Sequence, residues 1–266
     1  MQYRASVIVP VLRQRDEWLA QCVRSAVEQT VPVEVVVITS PHTPPSNLEV
    51  LADLHRESAN IVVKCRERAG YAVGLNCGIR TASMPRIGLL LSDDWLEPGA
   101  VEAALEHDAD IVCTDRTMYL EDGQTPLKHQ PRPRSAAEFE RLPDLEEKAT
   151  YLNHFLVFKK QKLLEVQGVD ETLGDTPGID DYDLPWVLLE HGATVAIVER
   201  PLYNYRDHFE ARLTLANREK MVATMERILD KHGIRGERKQ RLLEAKSRWF
   251  GEPVHVVAQR RALGER

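Results

Sequence analysis

Aromatic residues make up only 6% of this 266-residue chain, and no stretch of it stays apolar long enough to cross a bilayer. The four cysteines, Cys22, Cys65, Cys77 and Cys113, stand far apart with no Cys-x-x-Cys pair. That spacing argues against a zinc cage or a disulfide framework and predicts reduced thiols in a cytosolic protein. A basic excess is missing too. The net charge is −6, which excludes nucleic-acid binding by bulk electrostatics, so no nucleic acid is expected as a partner. Internal repeats, low-complexity tracts and an interdomain linker are absent. Met1 to Arg4 leads straight into a strand-like segment, so no signal peptide is expected. What remains, 43% apolar and 29% charged residues, suffices for one large domain with a sizeable core. The expected division is a main unit over residues 1–212 and a helical C-terminal extension over 213–266.

The first half alternates two periodicities. Ala5 to Val11 and Val33 to Thr39 are β-branched runs of the kind that form buried parallel strands. Ile61 to Cys65 and Ile87 to Leu91 read as further strands. Between them, Asp16 to Gln29, the segment around Leu48, Leu51 and Leu54, and the segment from Ala72 to Ala82 place apolar residues at helical spacing. The expected fold is α/β: a mostly parallel sheet flanked by helices, with ligand-binding loops along the carboxyl edge of the strands. The second half is less regular. Asp115 to Lys148 is polar and proline-bearing, and reads as an insertion with a broken helix. Phe155 to Phe158 and Thr194 to Val198 read as strands, Tyr182 to His191 as a helix. Leu213 to Trp249 has a helical pattern interrupted at Gly233 and Gly236.

Three segments carry candidate chemistry. In Leu89 to Pro98 (LLLSDDWLEP) an apolar strand ends abruptly in Asp93 and Asp94. Carboxylates there face a ligand crevice and are suited to share a hard divalent cation with phosphate, although capping or a turn would also use them. In Gly178 to Leu184 (GIDDYDL), Asp180, Asp181 and Asp183 open an apolar helix. Acids suit a helix N-terminus, but three exceed that need, and one in a cleft would serve as a general base. Leu202 to His208 (LYNYRDH) taken alone reads as an edge strand with a surface histidine.

Taken in order, these segments resemble the inverting family 2 glycosyltransferases with the GT-A fold. Ser6 to Val11 (SVIVPV) resembles the family's opening strand, and Cys22 to Thr30 (CVRSAVEQT) its first helix. Gly70 to Gly78 (GYAVGLNCG) is similar to the helix before the metal strand, and Ser92 to Pro98 to the DxD-type metal motif. Gly168 to Glu171 with Asp180 to Leu184 resembles the acceptor-side Glu-Asp motif, and Tyr203 to His208 the strand after it. The resemblance spans Ser6 to His208, and collinearity makes it specific.

It implies transfer of a sugar from a nucleotide-diphosphate donor to an acceptor hydroxyl, with inversion. Asp181 would be the catalytic base, with Asp180 and Asp183 beside it on the acceptor side, bound to the helix N-terminus. Pro10, Val11, Thr39, Gly70, Asn76, Ser92, Asp93 and Asp94 would line the donor site. Asp93, Asp94 and His208 would hold Mn²⁺ or Mg²⁺. Departures accompany this: Asp180 stands where Glu is usual, Thr39 where an acid reads the base, and Leu91 where many members have the first Asp of the motif. No Gln-x-x-Arg-Trp segment follows Asp181, so a single-transfer rather than a processive enzyme is expected.

From Gly233 to Arg266 nine basic residues face four acidic ones. A basic helix with Trp249 and Phe250 suits either packing on the domain or a peripheral contact at an anionic inner membrane face, and Val254 to Ala258 suits a homodimer contact. Competing readings of the whole are a sugar-nucleotide nucleotidyltransferase, which wants a glycine-rich loop where Val11 to Arg15 has none, and a non-catalytic binding subunit. The acceptor and the donor sugar are not identified by the sequence.

Overall fold

The computed structural model describes residues 2–68, 70–174, 178–210, 215 and 218–263. Its strands are β1 (Ala5–Pro10), β2 (Val33–Thr39), β3 (Ile61–Cys65), β4 (Arg86–Leu89), β5 (Trp95–Leu96), β6 (Ile111–Leu120), β7 (Leu156–Lys159) and β8 (Val195–Asp207). They form one eight-stranded sheet in the order β3-β2-β1-β4-β7-β6-β8-β5. β3, β2, β1 and β4 pair in parallel, as do β6 and β8, while β7 and β5 run against their neighbours. The sheet is therefore mixed but mostly parallel.

Strand periodicity explains why both faces are covered. Ile8, Val36 and Ile38 point into one apolar layer, Val7, Val9, Val35 and Val37 into the other. The first layer is closed by the helix Tyr71–Thr81 and by Trp186 and Leu188 of the helix Leu184–Glu190. Helices Asp16–Val27 and Pro45–Glu57 close the second through Leu19, Val23, Leu51 and Leu54. β3 is an edge strand. Only Ile61 of it is buried.

Two expectations need correction. Asp115 to Leu120, expected within an insertion, is the second half of β6, which runs beside β8 as far as the Leu120–Asp207 pair. The polar residues there obscured the strand, and a bulge around Asp115 shifts the register by letting an extra residue stand in the ladder. The broken helix does follow, as Ala136–Arg141 and Leu145–Tyr151. Likewise Leu202 to His208 is no edge strand with a surface histidine: as far as Asp207 it is the end of the 13-residue β8, which β5 covers at Tyr203 and Asn204, and His208 just beyond it is only 2% exposed.

The expected 212/213 boundary lies outside the described residues. Beyond it, helices Arg218–Lys231 and Gly236–Ser247 are separated at Gly233, whose φ is +73°, and Val254–Ala262 follows. Met225, Ile228 and Leu229 sink into the same apolar layer as Ile179 and Tyr182. The C-terminal helices thus share the core on which the Asp181 turn rests.

Candidate active site

β4 lies near the middle of the sheet, and the chain leaving it folds back at once, with Asp94 N–H donating to the Leu91 carbonyl at 3.1 Å. That turn separates the fates of the two acids. Asp94 is 1% exposed; it accepts from the Tyr203 hydroxyl at 2.5 Å and from the Arg206 backbone N–H at 2.7 Å. Burial and the neighbouring charge of Asp93 push its pKa up to about 7 against those hydrogen bonds. Expected alongside Asp93 at a cation, Asp94 is instead occupied on both oxygens by the protein. Asp93 stays partly open, with its Oδ2 3.0 Å from His208 Nε2.

Arg206 holds this turn in place. Its guanidinium lies 4.8 Å from the rings of both Trp18 and Trp95. Its Nε donates to the Asp93 carbonyl at 3.0 Å, and its remaining nitrogens to the Glu121 carbonyl at 2.8 Å and Gln21 Oε1 at 2.5 Å. The His208 ring packs on Trp18 at 4.7 Å.

The second acidic cluster sits on a wide helical turn, Ile179–Asp183, closed by Asp183 N–H donating five residues back to the Gly178 carbonyl at 2.7 Å. Gly178 enters it at φ +89°, a region that costs other residues strain. Asp180 is buried, accepting from the Tyr71 hydroxyl at 2.8 Å and lying 3.2 Å from His154 Nε2. Asp181 alone of the cluster opens outward: its side chain is 29% exposed and 3.9 Å from His154 Nε2. Asp183, 1% exposed, pairs with Lys231 at 2.8 Å and His232 at 3.0 Å. His232 in turn stacks on Trp186 at 4.0 Å. The expectation that Asp180 and Asp183 bind the helix N-terminus is corrected in emphasis: Asp183, the residue before the helix Leu184–Glu190, makes no side-chain cap bond, and both acids are taken up by donors from other elements, Tyr71 and His154 for Asp180 and Lys231 and His232 for Asp183.

The electrostatics follow from these partners. Burial opposes the Asp180 charge, but the His154 hydrogen bond and charge, with Tyr71, hold its pKa below the ordinary value. Burial likewise opposes the His154 charge, yet Asp180, then Asp181 and Asp94, raise its pKa. Asp181 is raised by burial and by Asp180, tempered by His154, Arg116 and Lys246. Burial and the charges of Asp180, Asp181 and Asp93 drive the Tyr71 phenol upward. The two clusters adjoin: the His154 ring stacks on that of Tyr203 at 5.5 Å, and Tyr203 holds Asp94.

Other expected donor-side residues divide. Pro10 and Val11 close β1, buried, with Val11 N–H on the Ile38 carbonyl at 2.8 Å. Thr39 is 1% exposed and its hydroxyl turns to the Lys64 carbonyl at 3.5 Å. Ser92 is half-buried, 3.5 Å from Gln14 Nε2. Gly70 starts the helix Tyr71–Thr81, and its carbonyl accepts from Arg66. Asn76 is displaced from the expected role. Its amide donates to the Val169 carbonyl at 2.9 Å and Glu171 at 3.0 Å, and accepts from Val169 N–H at 2.9 Å. It fastens the Gly168–Glu171 loop, and a Cβ at Gly168 would strike it.

Tyr71, Arg116 and His154 were not singled out from sequence. Tyr71 stood within a quoted motif, but His154 and Arg116 lay in or beside the polar stretch read as an insertion, with no spacing to mark them.

A mostly parallel sheet with acids at the carboxyl end of a central strand puts them where α/β folds open a ligand crevice. Residues 6–166 match the family described as Glycosyl transferase family 2, and the chain belongs to that family. It is 26% identical over 209 residues to the O-antigen biosynthesis protein RfbC of Myxococcus xanthus, covering 76% of this chain and 16% of that protein. A chondroitin synthase of Pasteurella multocida is 32% identical over 103 residues, covering 38% of this chain and 11% of the relative. The chain therefore spans a small part of these relatives' length. Among solved structures, residues 1–349 of S. aureus TarS in complex with UDP-GlcNAc align with TM-score 0.64 at 16% identity, covering 86% of this chain and 66% of that one. The mannosyltransferase PcManGT of Pyrobaculum calidifontis, in complex with GDP-Man and Mn²⁺, aligns with TM-score 0.63 at 18% identity, covering 94% and 70%. These likenesses show the fold, the GT-A type. Among the described residues no helix is long and apolar enough to cross a membrane.

Proposed function

We propose that this chain is a non-processive, inverting glycosyltransferase that moves a sugar from a nucleotide-diphosphate donor to an acceptor hydroxyl with a divalent cation present. The observation carrying this reading is the opposed pair of half-open acids, Asp93 and Asp181, each set beside a buried acid that the protein holds.

The donor set suits a cation of this kind. Asp93 Oδ2 and His208 Nε2 converge to 3.0 Å; no group of three or more His, Cys, Asp or Glu converges here or elsewhere among the described residues, so donor oxygens would have to complete a cation's shell. One carboxylate plus diphosphate oxygens is a usual shell for Mg²⁺ or Mn²⁺, with an imidazole nitrogen as an added ligand. When bound there, the cation would offset the charge that develops on the departing diphosphate.

Asp181 takes the proton of the acceptor hydroxyl as the new C–O bond forms and the donor's glycosidic bond breaks on the opposite face. Its raised pKa strengthens it as a base, while His154 steadies the carboxylate and keeps it from being neutralised outright. Asp180 holds His154 and Tyr71 in place for this.

The test is turnover with UDP-, GDP-, TDP- and CDP-sugars with and without Mn²⁺, read as nucleoside diphosphate release. Release that depends on Asp181 and on metal supports the reading. Nucleotide-sugar binding with no release under any condition would instead favour a binding subunit, and pyrophosphate chemistry a nucleotidyltransferase.

A further inference from the structure

Of the cationic side chains near Asp181, most are already matched by a carboxylate. His154 lies against Asp180. Lys246, from the helix Gly236–Ser247, lies 3.4 Å from Glu146, which is itself buried, and 3.7 Å above the Tyr182 ring. Arg134, next to Arg116, is paired with Asp115 at 3.2 Å, both side chains under one tenth exposed. Arg116 differs. It stands on β6 opposite Tyr203, the residue that holds Asp94. Its Nη1 donates to Asn153 Oδ1 at 3.1 Å, and Asn153 immediately precedes His154. Its Nε is buried with no hydrogen-bond partner, and no carboxylate lies within ion-pair distance of its guanidinium among the described residues.

Arg116 is half-buried with its Nε shut off from solvent, and a guanidinium so placed with no facing anion is costly, because the hydration lost at that nitrogen is not replaced. Here burial and the neighbouring Arg134 hold the pKa of Arg116 down to about 10, with Asp181 acting in the other direction. An arginine always carries its charge at neutral pH, so the site has a standing demand for a planar oxyanion. The cation is placed between the Asp93–Asp94 end, through Tyr203, and the Asp181 end, through Asn153 and His154.

We propose that Arg116 is a specificity-determining residue that binds an anionic group, carboxylate or phosphate, on the acceptor, whose hydroxyl is presented to Asp181. This rests on the glycosyltransferase reading above and deepens it by naming the class of acceptor. The bidentate fork of Arg116 holds the anion, and the acceptor is then gripped at two points, which orients the hydroxyl for displacement. It also offsets the repulsion between an anionic acceptor and the Asp181 carboxylate. Neutral sugars lack the first grip.

Calorimetric titration in saturating nucleoside diphosphate tests this, with D-glucuronate, glycerol 3-phosphate and D-glucose as probes. The nucleotide fills the diphosphate site, so a phosphate probe is not read there by mistake. At least one anion is expected to bind about tenfold or more tighter than glucose, and which one binds separates carboxylate from phosphate. Arg116→Gln should remove that preference and Arg116→Lys should keep part of it, while nucleotide affinity on the same samples reports an intact fold. Equal binding of anions and glucose, or an anion preference that survives Arg116→Gln, overturns the proposal. So does a loss of nucleotide rather than anion affinity, which would assign the guanidinium to the donor. Nucleotide binding without anion binding defeats this inference alone; no nucleotide binding by the parent protein defeats the function on which it rests.

Discussion

The two acidic clusters are built alike and charged differently. At the end of β4, Asp94 is buried and Asp93 half-open; on the Gly178 turn, Asp180 is buried and Asp181 half-open. Each buried acid is held by a tyrosine hydroxyl, Tyr203 for Asp94 and Tyr71 for Asp180. The second holder differs. Asp94 has a neutral backbone N–H, and burial prevails, raising its pKa to about 7. Asp180 has His154, and a cationic partner outweighs burial, lowering its pKa. Neutral hydrogen bonds satisfy a buried carboxylate without compensating its lost hydration; a facing cation does both.

The sharpest way to break this parallel is Asp181→Asn, which keeps shape and removes basicity. Turnover should fall by about 10²-fold or more with nucleotide affinity unchanged, measured by product release and by titration. If instead Asp180→Asn is the silent-binding, dead variant and Asp181→Asn is active, the division into holder and worker is reversed.

On the donor side the same division separates function from stability. Asp94→Ala strands the Tyr203 hydroxyl and the Arg206 N–H in a buried site, so chemical denaturation should show a loss of about 2–4 kcal/mol. Asp93→Ala should leave the unfolding midpoint nearly unchanged and lower Mn²⁺-dependent nucleotide affinity by about tenfold or more. A reversal of these two outcomes would exchange their roles.

The charge difference is tested by pH. Asp94 binds its proton more tightly folded than unfolded, so stability should decline as pH rises from about 4 to about 7, and Asp94→Asn should flatten that decline. The Asp180–His154 pair behaves oppositely at its edges. Its contribution is complete between about pH 4 and 6.5, fades as pH falls through the lowered Asp180 pKa, and fades as pH rises through the raised His154 pKa. His154→Gln should remove the alkaline limb in urea titrations across this range.

The smallest effect concerns the base. Thr39 offers a buried hydroxyl turned to the Lys64 carbonyl. Selection among nucleoside diphosphates should therefore be weak, and Thr39→Asp should shift it by about 1 kcal/mol toward one base in competition assays. Strong uridine selection by the parent protein would remove Thr39 from base reading.

Much of this was readable in the chain. Alternating β-branched runs and amphipathic segments specify a parallel α/β sheet, since period two and period 3.6 can be satisfied together only by strands covered with helices. The order of the acidic segments singled out the candidate acids, and the breaks at Gly233 and Gly236 located the C-terminal helices. Local pattern could not say which acid of each pair would be open. The partners that decide it, Tyr203 for Asp94 and Tyr71 for Asp180, are each 109 residues away in sequence. The same holds for Asn76, claimed by a loop 93 residues on, and for Asp183, claimed by Lys231 and His232. Arg116 and His154 carry no motif; they matter because β6 runs on past Asp115 and the stretch before β7 folds against the Asp180–Asp181 turn. Sequence alone determined the residue types and the layers into which they pack. Tertiary structure decided exposure and pairing, because hydration is lost only when distant elements close over a side chain, and that loss sets which carboxylates hold the site and which are left to act.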